Sequence, residues 1–322
     1  MKLRIFLHCM PWEIDSCFSV CESLRRNSYY LSENDSVQFD FFLNLSDAVI
    51  DWDNSKLDKQ FFIDKFNSME KLNDWSNYKP FIYEGNEMWG HLDAFRGMVE
   101  DKDECDAYLS ICPNVRFHNT LLFYIFRSME SIREDNYIIN PEVVKLWDSS
   151  WDVLVNHKYK DIPYEEHEDI DCYNTEKVVN DNLTNVKLVE NTEPHYKWAG
   201  WCDVHSSKLL DTVMYPKHWK GYGPMDTFFA YVLGTFRNWG GSNPEFANDL
   251  KMVFDGMNFK QYIIRNQIAT SSEHFDLTRD FYEKRIKLKS KRQKQRDLIE
   301  AGIEKDIEST IENIIGEFKN VK

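Results

Sequence analysis

Short apolar runs alternate with segments of helical period through most of this chain. Residues 3–7 form an aliphatic and aromatic run, broken at Pro11, after which Phe18, Cys21 and Leu24 fall on one side of a helical pattern. That reads as strand, loop and helix, the opening of an α/β unit. A second strand is predicted at 37–45. Residues 90–99 predict a helix with Leu92, Phe95 and Val99 on one face, and the acidic stretch 100–104 ends it. Residues 107–111 then read as a buried strand.

Further along, 137–140 predicts a strand and Pro141 the first position of a helix carrying Trp147 and Trp151 one turn apart, a spacing commoner in cores than in ligand platforms. Residues 158–193 are polar and acidic and predict a long loop region. A buried helix is expected at 227–236, a turn at 239–244, and an amphipathic helix through Leu250, Val253 and Phe254. The alternation predicts an α/β domain over 1–265, a mainly parallel twisted sheet with helices on both faces.

The remainder, 266–322, is of a different texture. It favours helix, with Ile299, Ile303, Ile307, Ile311 and Ile315 at i, i+4 spacing. That apolar stripe needs cover, from the α/β body or from the same helix of a second subunit in a homo-oligomer. Nine Lys and Arg between Arg279 and Arg296 oppose two acids, a net +7 against −22 for the rest of a chain whose formal charge is −15. The basic run is a solvated helix face or a contact to phosphates of DNA or a charged membrane surface. The acidic body argues against a protein built to wrap nucleic acid.

Seven cysteines, an odd number without a C-x-x-C pair or zinc-ligand spacing, predict reduced thiols. No apolar run reaches the roughly 20 residues of a membrane span. The opening residues do not have the layout of a signal peptide. A cytoplasmic protein, bacterial or in an infected host cell, is expected.

The candidate chemistry lies mainly in two segments, Lys197-Trp198-Ala199-Gly200-Trp201-Cys202-Asp203 and Gly221-Tyr222-Gly223-Pro224-Met225-Asp226-Thr227. Flat aromatics can lie against a sugar ring, glycines admit a ligand close to backbone, and an acid opening an apolar helix can take a proton. The plainer reading makes Trp198 and Trp201 core aromatics and Asp226 an acid favoured by a helix dipole.

The two segments resemble the acceptor half of GT-A glycosyltransferases, in which an aromatic-glycine segment precedes a Gly-rich turn and an x-Glu-Asp motif. Here that motif reads Pro224-Met225-Asp226, so Met225 departs from it. The whole chain is also similar to glycosyltransferase-like proteins of large bacteriophages. The resemblance implies a GT-A-like (Rossmann-like) fold over 1–265 and a nucleotide-sugar donor. It further implies an acceptor hydroxyl on a glycan or other molecule, and Asp226 as the base of an inverting displacement. Acceptor contacts would come from Trp198, Gly200, Trp201, Asp203, Tyr222 and Gly223. Donor contacts would come from the early βα loops at His8, Pro11, Trp12 and Glu13 and at Asp51 and Trp52, and from Cys112, Asn114 and Arg116.

The family's Asp-x-Asp cation site falls on Cys112-Pro113-Asn114, which keeps the register and loses both carboxylates. Of the two, only Asn114 offers Mg²⁺ or Mn²⁺ a hard oxygen, so metal is held weakly or is not needed. Arg116 and His118 could then neutralise a leaving diphosphate. The literal Asp169-Ile170-Asp171 follows no strand and is set aside. Two other functions stay open: glycosylation of hydroxymethylated pyrimidines in DNA, and a non-catalytic nucleotide-sugar or glycan binder.

Overall fold

The computed structural model describes residues 1–46, 52–53, 56–73, 78–84, 91–101, 104–113, 115–117, 120–145, 186–190, 202–214 and 256–271, together with 313 and 316. The first half is a run of strand–helix units. Its order is β1 (Lys2–Cys9), a 3-10 turn (Pro11–Glu13), α1 (Ile14–Ser28), β2 (Ser36–Asn44), α2 (Lys59–Asn73), β3 (Tyr78–Tyr83), α3 (His91–Glu100) and β4 (Ala107–Ile111). Then follow β5 (Val115–Phe117), α4 (Leu121–Ser131), β6 (Tyr137–Lys145), β7 (Leu188–Glu190), β8 (Cys202–Ser206), α5 (Ser207–Thr212) and β9 (Lys260–Ser271).

All nine strands join one sheet in the order β3-β2-β1-β4-β8-β6-β9-β5, with β7 also on β9. The pairs β1–β2, β2–β3, β1–β4 and β6–β9 are parallel, and β8 lies antiparallel between β4 and β6. Strands β1, β2, β3, β4, β6 and β9 therefore run one way, and β5, β7 and β8 oppose them. This is the mainly parallel α/β sheet that the alternation predicts.

Alternation along each strand builds two unlike layers. Leu3, Ile5 and Leu7 of β1, Phe39, Phe41 and Leu43 of β2, and Ala107, Leu109 and Ile111 of β4 form one apolar core with α1, α2 and α4. The opposite face meets α3, where Phe95 lies edge-on to Phe6 with ring centroids 5.4 Å apart. Helices thus cover both faces. Asn27 ties two of them, donating from Nδ2 to Ser23 O at 2.8 Å while its Oδ1 accepts from Leu122 N at 2.9 Å. Ser206 caps α5 through Leu209 N and also accepts from Tyr137 N, so one hydroxyl joins β8, β6 and α5.

A charged group sits inside the α3 layer. Arg4 and Asp40 are both fully buried and paired through Arg4 Nε. Arg4 Nη1 donates to Met98 O at 2.8 Å, and Nη2 lies 3.4 Å from Asp101, which Lys79 also reaches. One guanidinium thereby connects β1, β2 and the end of α3.

Two sequence expectations are corrected. Pro141 does not begin a helix; β6 continues through it to Lys145. The strand tolerates proline because its register to β9 shifts directly after it, from Pro141↔Ile264 to Glu142↔Ile268, and β8 pairs β6 only at Ile138 and Ile139. Residues 188–190, inside the expected loop region, pair with β9 as β7. β9 runs on to Ser271. The expected helices with Trp147 and Trp151, at 227–236 and around Leu250 lie outside the described residues. In the tail only Asn313 and Gly316 are described, both helical. Among the described residues no helix is long and apolar enough to cross a membrane.

Replacing Asp40 by Ala should cost about 3–5 kcal/mol, because it strands a buried guanidinium. The double change Arg4→Met with Asp40→Leu should recover most of that loss. Urea denaturation of the wild type, the single and the double variant checks both statements; a single variant within about 0.5 kcal/mol of wild type would refute the clamp.

Candidate functional site

The order of strands fixes where a ligand can enter. From β1 the chain moves outward to β2 and β3, then crosses back through α3 to place β4 on the other flank of β1. Connections therefore leave the carboxyl ends of β1 and β4 in opposite directions, and the crevice between them is where open α/β sheets take ligands. His8 and Cys112 stand at its two sides, each following the last registered pair, Leu7↔Ile111.

On the β1 side His8 is partly exposed, its ring stacked on Phe42 with centroids 5.5 Å apart. The chain then turns sharply through Pro11, Trp12 and Glu13 into α1. Proline suits this first position because it has no N–H to leave unpaired. Glu13 closes the turn by accepting from Met10 N at 3.0 Å. Its carboxylate is thus part of the loop's own structure. The side chain of Trp12 lies outside the described residues.

At the exit of β2, the Trp52 indole N–H donates to Leu45 O at 2.9 Å, and the ring meets Phe62 edge-on at 5.9 Å with Lys59 Nζ at the same distance over it. Leu45 lies between Asn44 and Ser46, both fully buried. These two were not among the sequence candidates. The signal for them was a pair of polar residues ending an apolar strand, which burial alone turns into something informative.

At the exit of β4, Cys112 is half-buried against the apolar core, and Val115 N closes a turn onto its carbonyl at 3.3 Å. Arg116 pairs in backbone register with Thr270 on the β5–β9 ladder. A hard divalent cation needs several oxygen ligands, which a thiol packed on apolar side chains does not provide. Among the described residues no group of three His, Cys, Asp or Glu side chains could hold a metal ion. The described part of this position does not fit Mg²⁺ or Mn²⁺.

Asp203 is placed differently from a groove residue. It is buried in β8, registered with Ser110, and its Oδ2 lies 3.1 Å from His205 Nε2. Burial pushes His205 down to about 3, so the imidazole is neutral. Burial, with the Asp203 and Cys112 charges adding, also pushes the Cys202 thiol well up. The structure thus brings His8, Pro11, Trp12, Glu13, Trp52 and Cys112 to one edge of the sheet, with Asp203 one strand beyond and inside it. Asp51, Asn114, Trp198, Gly200, Trp201, Tyr222, Gly223 and Asp226 lie outside the described residues.

No family model and no curated protein matches this chain. Among solved structures it is similar to S. aureus TarS 1–349 in complex with UDP-GlcNAc, at TM-score 0.44 and 10% identity, covering 86% of this chain and 60% of that one. It is also similar to GalNAc-T7 with UDP, GalNAc and Mn²⁺, at TM-score 0.48 and 10% identity, covering 84% and 44%. The chain therefore spans about half of each.

The buried His205 sets a pH dependence. Its folded pKa is depressed from about 6.5, so between that value and about 3 the unfolded chain binds the extra proton and stability falls as pH falls. The slope should be about 1 kcal/mol per pH unit in that window. Urea midpoints at pH 7, 6 and 5 for wild type and His205→Gln check it; equal slopes would show that His205 is not the titrating group.

Proposed function

We propose that this chain is a glycosyltransferase that moves a sugar from a nucleotide-sugar donor to an acceptor hydroxyl. The observation that supports the reading is the order of strands: β1 and β4 are parallel neighbours whose connections leave in opposite directions, and His8, Pro11–Glu13 and Cys112 follow their last registered pair. Unrelated chemistries use such crevices. The aromatic-glycine segment and the acid of Pro224-Met225-Asp226 point to sugar transfer.

In this reading the nucleoside diphosphate lies across the exits of β1 and β4. Trp198, Gly200, Trp201, Tyr222 and Gly223 form the acceptor side, and Asp203 supports them from inside β8. Asp226 takes the proton of the acceptor hydroxyl as its oxygen bonds to the anomeric carbon, and the bond from that carbon to the diphosphate breaks. Configuration at the anomeric carbon inverts. Arg116 balances charge on the leaving diphosphate. Mg²⁺ or Mn²⁺ carries no step, given the donor set at Cys112.

Thermal shift against a panel of nucleotide sugars tests the reading. A donor at about 100 times its Kd should stabilise the chain by about 2.7 kcal/mol. Asp226→Asn should keep that shift while turnover falls about 10²–10⁴-fold. No shift with any donor, or a normal rate in Asp226→Asn, would remove the donor site or the base respectively. Activity should also survive EDTA; complete loss, restored only by Mn²⁺ or Mg²⁺, would show that other ligands hold a required ion.

A further inference from the structure

Two thiols meet at the exit of β4. Ile111, the last residue of that strand, stands in register with Cys202, the first of β8, so Cys112 lies one residue beyond the partner of Cys202. Neighbouring strands are about 4.8 Å apart and one residue advances about 3.4 Å, which keeps the two Cα atoms inside the roughly 7 Å that a disulfide spans. Strict alternation would point Cys112 away from Cys202. But β4 ends at Ile111 and the chain turns there, with Val115 N bonded to Cys112 O at 3.3 Å. The Cys112 side chain packs on the same apolar core that contains Ile111 and Cys202. The two sulfurs also sense each other, since charge on Cys112 helps to raise the Cys202 thiol.

The six described cysteines are all free, and they differ in access and company. Cys9, Cys17 and Cys21 are fully buried, beyond direct reach of a solute in water. Cys105 is half-buried, and the group beside its sulfur is the Ser207 hydroxyl at 3.9 Å, which cannot form a disulfide. Cys112 is half-buried at the crevice and has a second thiol behind it. An oxidant need reach only this outer sulfur. The inner one, Cys202, is buried and is met from within the protein.

We propose that Cys112 is a site of oxidation by hydrogen peroxide with Cys202 as its resolving thiol, and that the disulfide they form shuts donor binding; this last consequence rests on the glycosyltransferase reading. The Cys112 thiolate attacks one peroxide oxygen, the O–O bond breaks, and the departing hydroxide takes a proton to become water, leaving a sulfenic acid. The Cys202 sulfur then bonds to the Cys112 sulfur, the S–O bond breaks, and the hydroxide carries off the Cys202 proton as a second water. Two thiols have given two electrons to one peroxide. Burial keeps Cys202 protonated, so the second step is the slow one. A dithiol reverses the bond by exchange. The crosslink ties the segment that runs from Cys112 through Asn114 to Arg116 to the residue that directly follows Trp198, Gly200 and Trp201. Donor-side and acceptor-side segments are then pinned together, and the Cys112 sulfur is withdrawn from the donor.

Treatment of the full chain with hydrogen peroxide, followed by tryptic digestion and mass spectrometry, tests the modification. The expected product is a linked pair of peptides 103–116 and 198–208, lost on treatment with dithiothreitol, with fragmentation placing the bond at Cys112 and not at Cys105. Cys202→Ser should give no linked pair and carry Cys112 on to the sulfinic acid, while Cys105→Ser should behave as wild type. Calorimetric titration with the nucleotide sugar that the reduced chain binds should show affinity falling about 10–100-fold on oxidation and returning on reduction. No linked pair in wild type, or a bond at Cys105, would overturn the proposal. A linked pair with unchanged affinity would overturn the shut-off. A linked pair in a chain that binds no nucleotide sugar even when reduced would uphold the modification and overturn the glycosyltransferase reading. If Cys202→Ser fails to fold by circular dichroism, the wild-type peptides decide.

Discussion

The buried guanidinium of Arg4 is the constraint on which the first half of the fold depends. A charge held away from water is tolerable only when every direction it faces is answered. Here the answers come from Asp40 on the neighbouring strand, the carbonyl of Met98 at the end of α3, and Asp101 beyond it. A hydrophobic residue at position 4 would pack against many arrangements of these elements. Arg4 is satisfied by one. It holds the register of β1 against β2, and it anchors the helix whose far end returns the chain to β4.

That return creates the site. Because α3 carries the chain back across β1, the exits of β1 and β4 point their loops apart, and a crevice opens without any loop having to be shaped for it. The apolar core beneath α1, α2 and α4 sits on the other face and contributes rigidity there. The two faces divide the labour. One is packed with aliphatic and aromatic side chains; the other carries Arg4, Asp40, His8, Ser110, Asp203, His205 and Asn140.

The parallel half was legible in the sequence because buried strands write continuous apolar runs, and 107–111 matches β4 residue for residue. The turn at Pro11–Glu13 was legible because Pro11 stops the strand, although β1 runs two residues past the predicted run, through His8 and Cys9. Pro141 misled because its helix-start preference is a local signal, while its place in β6 depends on a register shift against a strand more than a hundred residues away. β9 went unread for a related reason: its partners, β5, β6 and β7, come from three separate regions of the chain. Asn44 and Ser46 could not be separated from ordinary turn residues by composition. Only burial without a partner among the described residues distinguishes them, and that is a property of the assembled sheet.

The described edge of the crevice has one chemical character. It presents an imidazole at His8, an amide at Asn44, a hydroxyl at Ser46, an indole at Trp52 and a thiol at Cys112, while the carboxylate of Glu13 accepts the N–H of Met10. In a chain of formal charge −15 that is a selective arrangement of polar but uncharged side chains. An anionic ligand approaching a wall of carboxylates would need a cation between them, and a metal site normally supplies it. A wall of dipoles removes that need.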